Sequence, residues 1–156
     1  MLLTGLLPDI TTDPAIETAI DSVEAGRSGT IVAPVGIRPP LLAAVASRAA
    51  TPLVVLTATG RDAESLTNAL ASWIPGVAML PAWETLPHER LSPQVDTMAR
   101  RIAVLRRLVH PIKGDDSAGP MSVLVVPIRA FLQPIISGLA DLEPVRVRTG
   151  DIMDLT

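Results

Sequence analysis

Apolar residues along this chain fall into two rhythms. Four short runs are almost continuously apolar: 29–35 (GTIVAPV), 52–57 (PLVVLT), 76–80 (GVAML) and 121–126 (MSVLVV). Runs of this length, rich in Val, Leu and Ile and bounded by Gly or Pro, predict buried strands. The segments between them carry apolar residues at three-four spacing and predict helices. Thr11, Thr12 and Asp13 precede Pro14, a capping residue followed by proline at a first helical position, so a helix is expected from Pro14 to Ala25, stopping at Gly26. Pro39 and Pro40 open a second helix over Leu41 to Ala49. A third spans Asp62 to Ile74, with Ala63, Leu66, Leu70 and Trp73 on its apolar side. Gln94 to His110 is the strongest helical pattern, and Pro127 to Ile136 predicts a helix interrupted by Pro134. Pro81 to Pro93 is proline-rich and reads as a loop held by packing. Lys113 to Pro120 reads as an exposed turn, and Val145 to Arg148 as a weak last strand.

Strand and helix alternate four times, and buried strands separated by helices imply parallel β-α-β units with helices on both faces of a sheet. The expected fold is α/β, a parallel-sheet three-layer sandwich. No internal repeat stands out. The tail, Thr149 to Thr156, has no closing element, and a continuation into a longer polypeptide is expected.

Composition narrows the picture. The 156 residues suffice for one domain, 48% are hydrophobic, and the aromatics are Trp73, Trp83 and Phe131 alone, so the core must be built of Val, Leu, Ile and Ala. The formal net charge of −3 argues against a free-standing nucleic-acid binder, which usually carries a basic excess. With no cysteine, disulfides and thiolate metal sites are excluded, and a cytoplasmic location is expected. Met1 to Ile10 lacks the positive region of a signal peptide, and no stretch reaches the ~18 consecutive apolar residues of a membrane span, so no membrane partner is expected.

The turn after the 29–35 run is where a phosphate-binding loop would sit. Such a loop needs glycines whose backbone N–H groups surround phosphate, a lysine for the outer phosphates and Ser/Thr for magnesium. The segment Val32 to Pro40 (VAPVGIRPP) offers only Gly36, the one lysine, Lys113, lies elsewhere, and Pro39 and Pro40 remove two amide donors. The 121–126 run leads into Pro127, Ile128 and Arg129 instead of a magnesium-binding Asp. Gly26-Arg27-Ser28-Gly29 precedes the first run and is a turn. No G-x-S-x-G elbow exists, and His88 and His110 lack metal-ligand spacing. Glu84, Glu89 and Asp96 have no glycosidase-like or metal framework around them. No catalytic, cofactor-binding or metal-binding residue is therefore assigned.

The most distinctive stretch is 80–105, LPAWETLPHERLSPQVDTMARRIAVL. Its Trp-Glu-Thr-Leu-Pro block (Trp83 to Pro87), Ser92-Pro93, Asp96 and an arginine-bearing amphipathic helix resemble the amino-terminal region of bacterial transcription-repair coupling factors. More distantly they resemble domain 1 of the excision-repair helicase UvrB. Pro52 to Leu66 is similar to the second strand and helix of that domain, and Val123 to Leu132 to its apolar strand with a Val-Pro turn. The resemblance spans about Gly29 to Asp154; His88 departs from it, since the family often has Tyr there. In the helix, Val95, Met98, Ile102, Leu105 and Val109 form an apolar stripe at three-four spacing, Arg100 and Arg107 lie opposite it, and Arg101 and Arg106 flank it. Asp96 and Arg100, four apart, can pair. That helix reads as a core helix with a solvated basic face or, more sharply, as a docking face for another domain. Trp83 and Glu84 read as a buried anchor with a capping or pairing carboxylate, or as a partner-contact loop. Trp83, Glu84, Arg100 and Arg107 are the candidate interdomain or partner surface.

The resemblance implies a helicase-domain-like fold, a degenerate P-loop NTPase, with residues 1–144 as a UvrB-like domain 1A and 145–156 as the truncated start of the following UvrA-binding module. It implies a non-catalytic scaffold within a translocase that displaces stalled RNA polymerase from DNA and recruits UvrA in nucleotide excision repair. ATP and magnesium would serve the full-length motor, and this chain would bind neither. Its partners would be other domains of the same chain, UvrA through the following module, and polymerase and DNA through the full-length protein. An independent nucleotide-binding α/β enzyme with an atypical site is the alternative, and an autonomous DNA-binding module using Arg100, Arg101, Arg106 and Arg107 is a third reading.

Overall fold

The structure, a computed structural model, describes residues 2–84, 92, 94–115, 117–143 and 150. Among the described residues six α-helices and three strands occur, and strand and helix alternate only from α3 onward: α1 (Leu7–Thr11), α2 (Pro14–Glu24), α3 (Arg38–Arg48), β1 (Leu53–Thr57), α4 (Gly60–Leu70), β2 (Val77–Met79), α5 (Val95–Val109), β3 (Val123–Pro127) and α6 (Ile128–Phe131). The strands form a parallel sheet in the order β1-β3-β2, with Leu53 opposite Val123 and Val77 also opposite Val123. The expected α/β class is borne out.

Local chemistry explains the helix starts. Asp13 accepts hydrogen bonds from the Ala15 and Ile16 amides, and Pro14 supplies a preset φ at the first helical position. Thr59 caps α4 by accepting from Asp62 N. Gly76, at φ +74°, turns the chain into β2. Its carbonyl accepts from the Ser122 and Val123 amides, and a Cβ there would stand 3.0 Å from Ser122 N.

Two cores flank the sheet. On one face α1, α2, α3 and α4 bury Leu7, Ile20, Ala43, Ala44, Ala63 and Leu70 against Val123 and Val125. On the other, α5 buries Val104 against Leu124, Val126, Ala78 and Leu80. This is the three-layer arrangement, built with aliphatic residues as the composition required.

Four expectations need correction. Residues 29–35 form no strand: Val32 is 95% exposed and Ile31 and Val35 are also exposed. Their backbone joins no ladder with the described strands, so apolar composition alone does not make a strand there. The 127–136 helix is a single turn, because Pro134 and the exposed Leu132, Ile135 and Ile136 give it no face to bury. The buried side of α5 is Thr97, Arg101, Val104 and Leu105. Of the expected stripe, Val95, Met98 and Val109 are exposed, so the helix is rotated toward its polar positions. Finally, the leading segment, read only as a short apolar run, folds into a 3-10 turn and α1, tied down by Leu3 N donating to Ser72 O at 2.6 Å and by buried Leu7. The expected strand at 145–148 and module start at 145–156 lie outside the described residues apart from Gly150, as do Thr85, Leu86, Pro87, His88 and Glu89.

Candidate functional site

In open parallel α/β sheets ligands favour the crevice beyond the carboxyl ends of the strands. Here β1, β2 and β3 end at Thr57, Met79 and Pro127. Beyond them lies a cavity of about 530 Å³ whose charged lining residues are Glu64, Glu84, Asp96, Arg100 and Arg129. Three carboxylates and two guanidinium groups make it mixed in sign, unlike a phosphate cradle.

The loop 80–84 forms one wall, and α5 holds it. Arg101 on α5 is fully buried, and its Nη1 donates to Pro81 O at 2.6 Å. Its guanidinium carbon lies 4.5 Å from the centre of the Trp83 ring, a cation–π contact in a desolvated setting. Burial lowers the Arg101 pKa, but a guanidinium starts so high that it stays charged. The Arg101 Nε is buried without a hydrogen-bond partner. Backbone bonds fix Trp83 further: its N–H donates to Gln133 Oε1 at 2.8 Å, and its carbonyl accepts from Gln133 Nε2. Glu84 accepts the Thr97 hydroxyl, and that bond holds the Glu84 carboxyl below its ordinary value. The Glu84 carbonyl accepts from Arg129 Nη2 at 3.4 Å.

The four candidate residues thus separate. Glu84 and Arg100 line the crevice together, and Trp83 sits behind Glu84 against Arg101. Arg100 is exposed and paired with Asp96 at 2.8 Å, the i,i+4 pair expected from sequence. Arg107 lies two turns further along α5, where its Nε donates to Gly119 O at 2.9 Å, tying α5 to the 113–120 turn at the opposite end of the sheet. Arg106 reaches Asp141 O, Leu142 O and Glu143, and His110 Nε2 contacts Asp141 Oδ1 at 2.7 Å. Sequence reading passed over Thr97 and Gln133, gave Arg129 no role at a site, and placed Arg101 beside the apolar stripe instead of in the core. The recurrence 97, 101, 104, 105 was there to be read, but two of its four members are polar.

The turn where a phosphate-binding loop would sit directly precedes α3. Val35–Ile37 forms a 3-10 turn leading into α3. The Arg38 N–H already bonds Val35 O, and Pro39 and Pro40 have no N–H. The first turn of α3 therefore presents little to an anion. Among the described residues no cluster of His, Asp and Glu could hold a metal, and no helix is long and apolar enough to cross a membrane.

No family model matches the chain. Curated relatives do. The transcription-repair-coupling factors of Mycobacterium bovis and Mycobacterium tuberculosis are each 46% identical over 125 residues, 78% of this chain. That of Escherichia coli is 29% identical over 96 residues, 61% of the chain. The chain spans about 10% of the length of the mycobacterial relatives and 8% of the Escherichia coli one. The resemblance read from residues 80–105 is borne out.

Proposed function

The chain belongs to the transcription-repair-coupling factor family, and from that kinship we propose that it is a non-catalytic module of the amino-terminal region of such a factor. In this reading it works in transcription-coupled DNA repair as a rigid α/β scaffold with a helicase-like ancestry and a lost nucleotide site. The full-length protein supplies the ATP- and magnesium-dependent translocase that acts on DNA and stalled RNA polymerase. UvrA is recruited through the module after this one, and residues 1–144 position that module.

The observation that carries the reading is the start of α3. A triphosphate needs several converging N–H donors and a cation. Here one donor is already used within the turn, two are replaced by proline, and the lysine is absent. Arg38 alone cannot replace that cradle, because Asp62 lines the same cavity and offsets its charge.

A thermal-shift titration with ATP or ADP and magnesium tests this. A ligand at a hundred times its Kd stabilises by about 2.7 kcal/mol, which is easily seen in Tm. No shift at millimolar nucleotide is expected; a saturable shift, with amide perturbations at Gly36 and Arg38, overturns the reading. A robust complex between residues 1–156 and UvrA would likewise overturn the placement of UvrA contact in the following module.

A further inference from the structure

One stretch of the chain crosses the surface without joining either core. From Phe131 to Glu143 no residue is buried, and within 138–143 only Leu139 and Ala140 are half-buried. The 3-10 turn Leu139–Asp141 lies against α5, yet it buries no side chain that could hold it there. Segments with so little apolar contact open locally at small cost.

Its hold on α5 is polar and comes from the end of that helix. Arg106 Nη1 donates to the Asp141 carbonyl at 3.5 Å and to the Leu142 carbonyl at 3.3 Å, and Arg106 Nη2 pairs with Glu143 at 3.1 Å. His110 Nε2 lies 2.7 Å from Asp141 Oδ1. Positions four apart share a helix face, and cations are favoured at a helix C-terminus, so α5 presents both side chains together. Upstream, Gly138 sits at φ +81°, a left-handed conformation that favours glycine. The Asp141 amide donates back to the Gly138 carbonyl at 3.0 Å. A pivot, a turn and a catch thus follow one another along 138–143.

The catch is unbalanced while the imidazole is neutral, because Asp141 and Glu143 then face the guanidinium of Arg106 alone. Arg107 is turned away to Gly119 O. Lys113 and Asp115 belong to the following turn, where Asp115 accepts from the Ser117 and Ala118 amides. A proton on His110 converts its contact with Asp141 from a hydrogen bond into an ion pair and matches two carboxylates with two cations. Histidine is the side chain whose charge ordinarily changes between about pH 5 and 8.

We propose that residues 138–143 form a detachable strap, hinged at Gly138 and latched to α5 by Arg106 and His110, which closes as His110 takes a proton and opens as it loses one. Closure and protonation favour each other, because the ion pair exists only in the closed state. The strap therefore tightens as pH falls through the histidine range and loosens as pH rises. Extended, these residues reach roughly 20 Å, so release lets the chain at Glu143 move on that scale. Taken with the proposed placement ahead of a UvrA-binding module, the strap sets how firmly that module is aimed. That consequence rests on the placement, whereas the strap rests on its own contacts.

The test is hydrogen exchange read by mass spectrometry on the full-length factor, corrected for the intrinsic pH dependence of exchange. Protection of peptides covering 138–143 is expected to be about threefold or more higher at about pH 5.5 than at about pH 8. His110→Gln keeps a hydrogen-bonding side chain and is expected to abolish that difference. Arg106→Gln is expected to lower protection about threefold or more at both pH values while β3 peptides stay unchanged. Glu143→Gln, at the surface on the strap side of the same pair, is expected to lower it in the same sense. Equal protection at both pH values in the parent overturns the proposal. So does a pH difference that survives His110→Gln, or protection indifferent to both Arg106→Gln and Glu143→Gln. Nucleotide binding at Gly36 would sink the scaffold reading and leave these measurements standing, so the two failures are distinguishable.

Discussion

The two faces of the sheet are closed by different physics. On the α3–α4 face Ala43, Ala44, Ala63 and Leu70 are all fully buried, and small side chains let the helices approach closely. Nothing there depends on direction. On the α5 face the buried helix positions include Thr97 and Arg101, which fit only because the loop 81–84 supplies an acceptor, an aromatic face and a carboxylate in the right places. Apolar packing tolerates substitutions that keep volume, whereas a buried polar contact tolerates few. Among the described residues the second face also leaves Val54 and Leu56 of β1 exposed, so it is both more specific and less complete.

The largest expected loss lies on the apolar face. Leu70→Ala should cost about 3 kcal/mol in chemical denaturation, the usual scale for emptying a fully buried leucine site. A loss below about 1 kcal/mol would mean that this face is as loosely closed as the other. Arg101→Ala should cost about 2–3 kcal/mol through the lost cation–π contact, the orphaned Pro81 carbonyl and the vacated volume. Arg101→Met, which keeps the aliphatic bulk and removes a desolvated charge, should cost distinctly less. Equal losses for the two variants would show that direction matters more than packing on this face.

Thr97→Val sharpens the comparison further, since it removes one donor at nearly constant shape. The Glu84 carboxyl is held below its ordinary value of 4.5 in the folded chain. Its contact with Thr97 therefore adds stability that is fully present above that value and is lost as pH falls through the lower folded one. The stability gap between the parent chain and Thr97→Val should narrow as pH is lowered through and below 4.5. In a carboxyl NMR titration the Glu84 midpoint should rise in the variant; an unchanged midpoint would remove Thr97 as the cause. Smallest of all, Asp96→Ala should cost about 0.3–0.5 kcal/mol and less in high salt, because its pair with Arg100 is exposed.

Much of the fold was legible in the residues. Asp13-Pro14, the Pro39-Pro40 pair and the apolar runs at 53–57, 77–79 and 123–127 located their elements within a few positions, because caps, prolines and β-branched runs act locally. The Asp96–Arg100 pair was readable for the same reason. The candidate surface was less legible. Arg107 and Arg100 share a helix face in sequence, yet one braces the 113–120 turn and the other borders the crevice. Gln133 reaches Trp83 across fifty residues, which no spacing rule could anticipate.

The sequence alone determined the class of fold, the aliphatic make-up of the core and the prolines that open α3 without N–H donors. Each of these follows from residue type and near neighbours. Only the tertiary structure decided which side of α5 is buried, that Arg101 belongs in a core, and that, among the described residues, 29–35 joins no ladder while β1 is the outer strand. Those outcomes depend on what a distant segment brings to the site: a carbonyl and an indole ring for Arg101, and a neighbouring ladder for a strand. An apolar run records that a strand can be covered, and the cover itself comes from elsewhere in the chain.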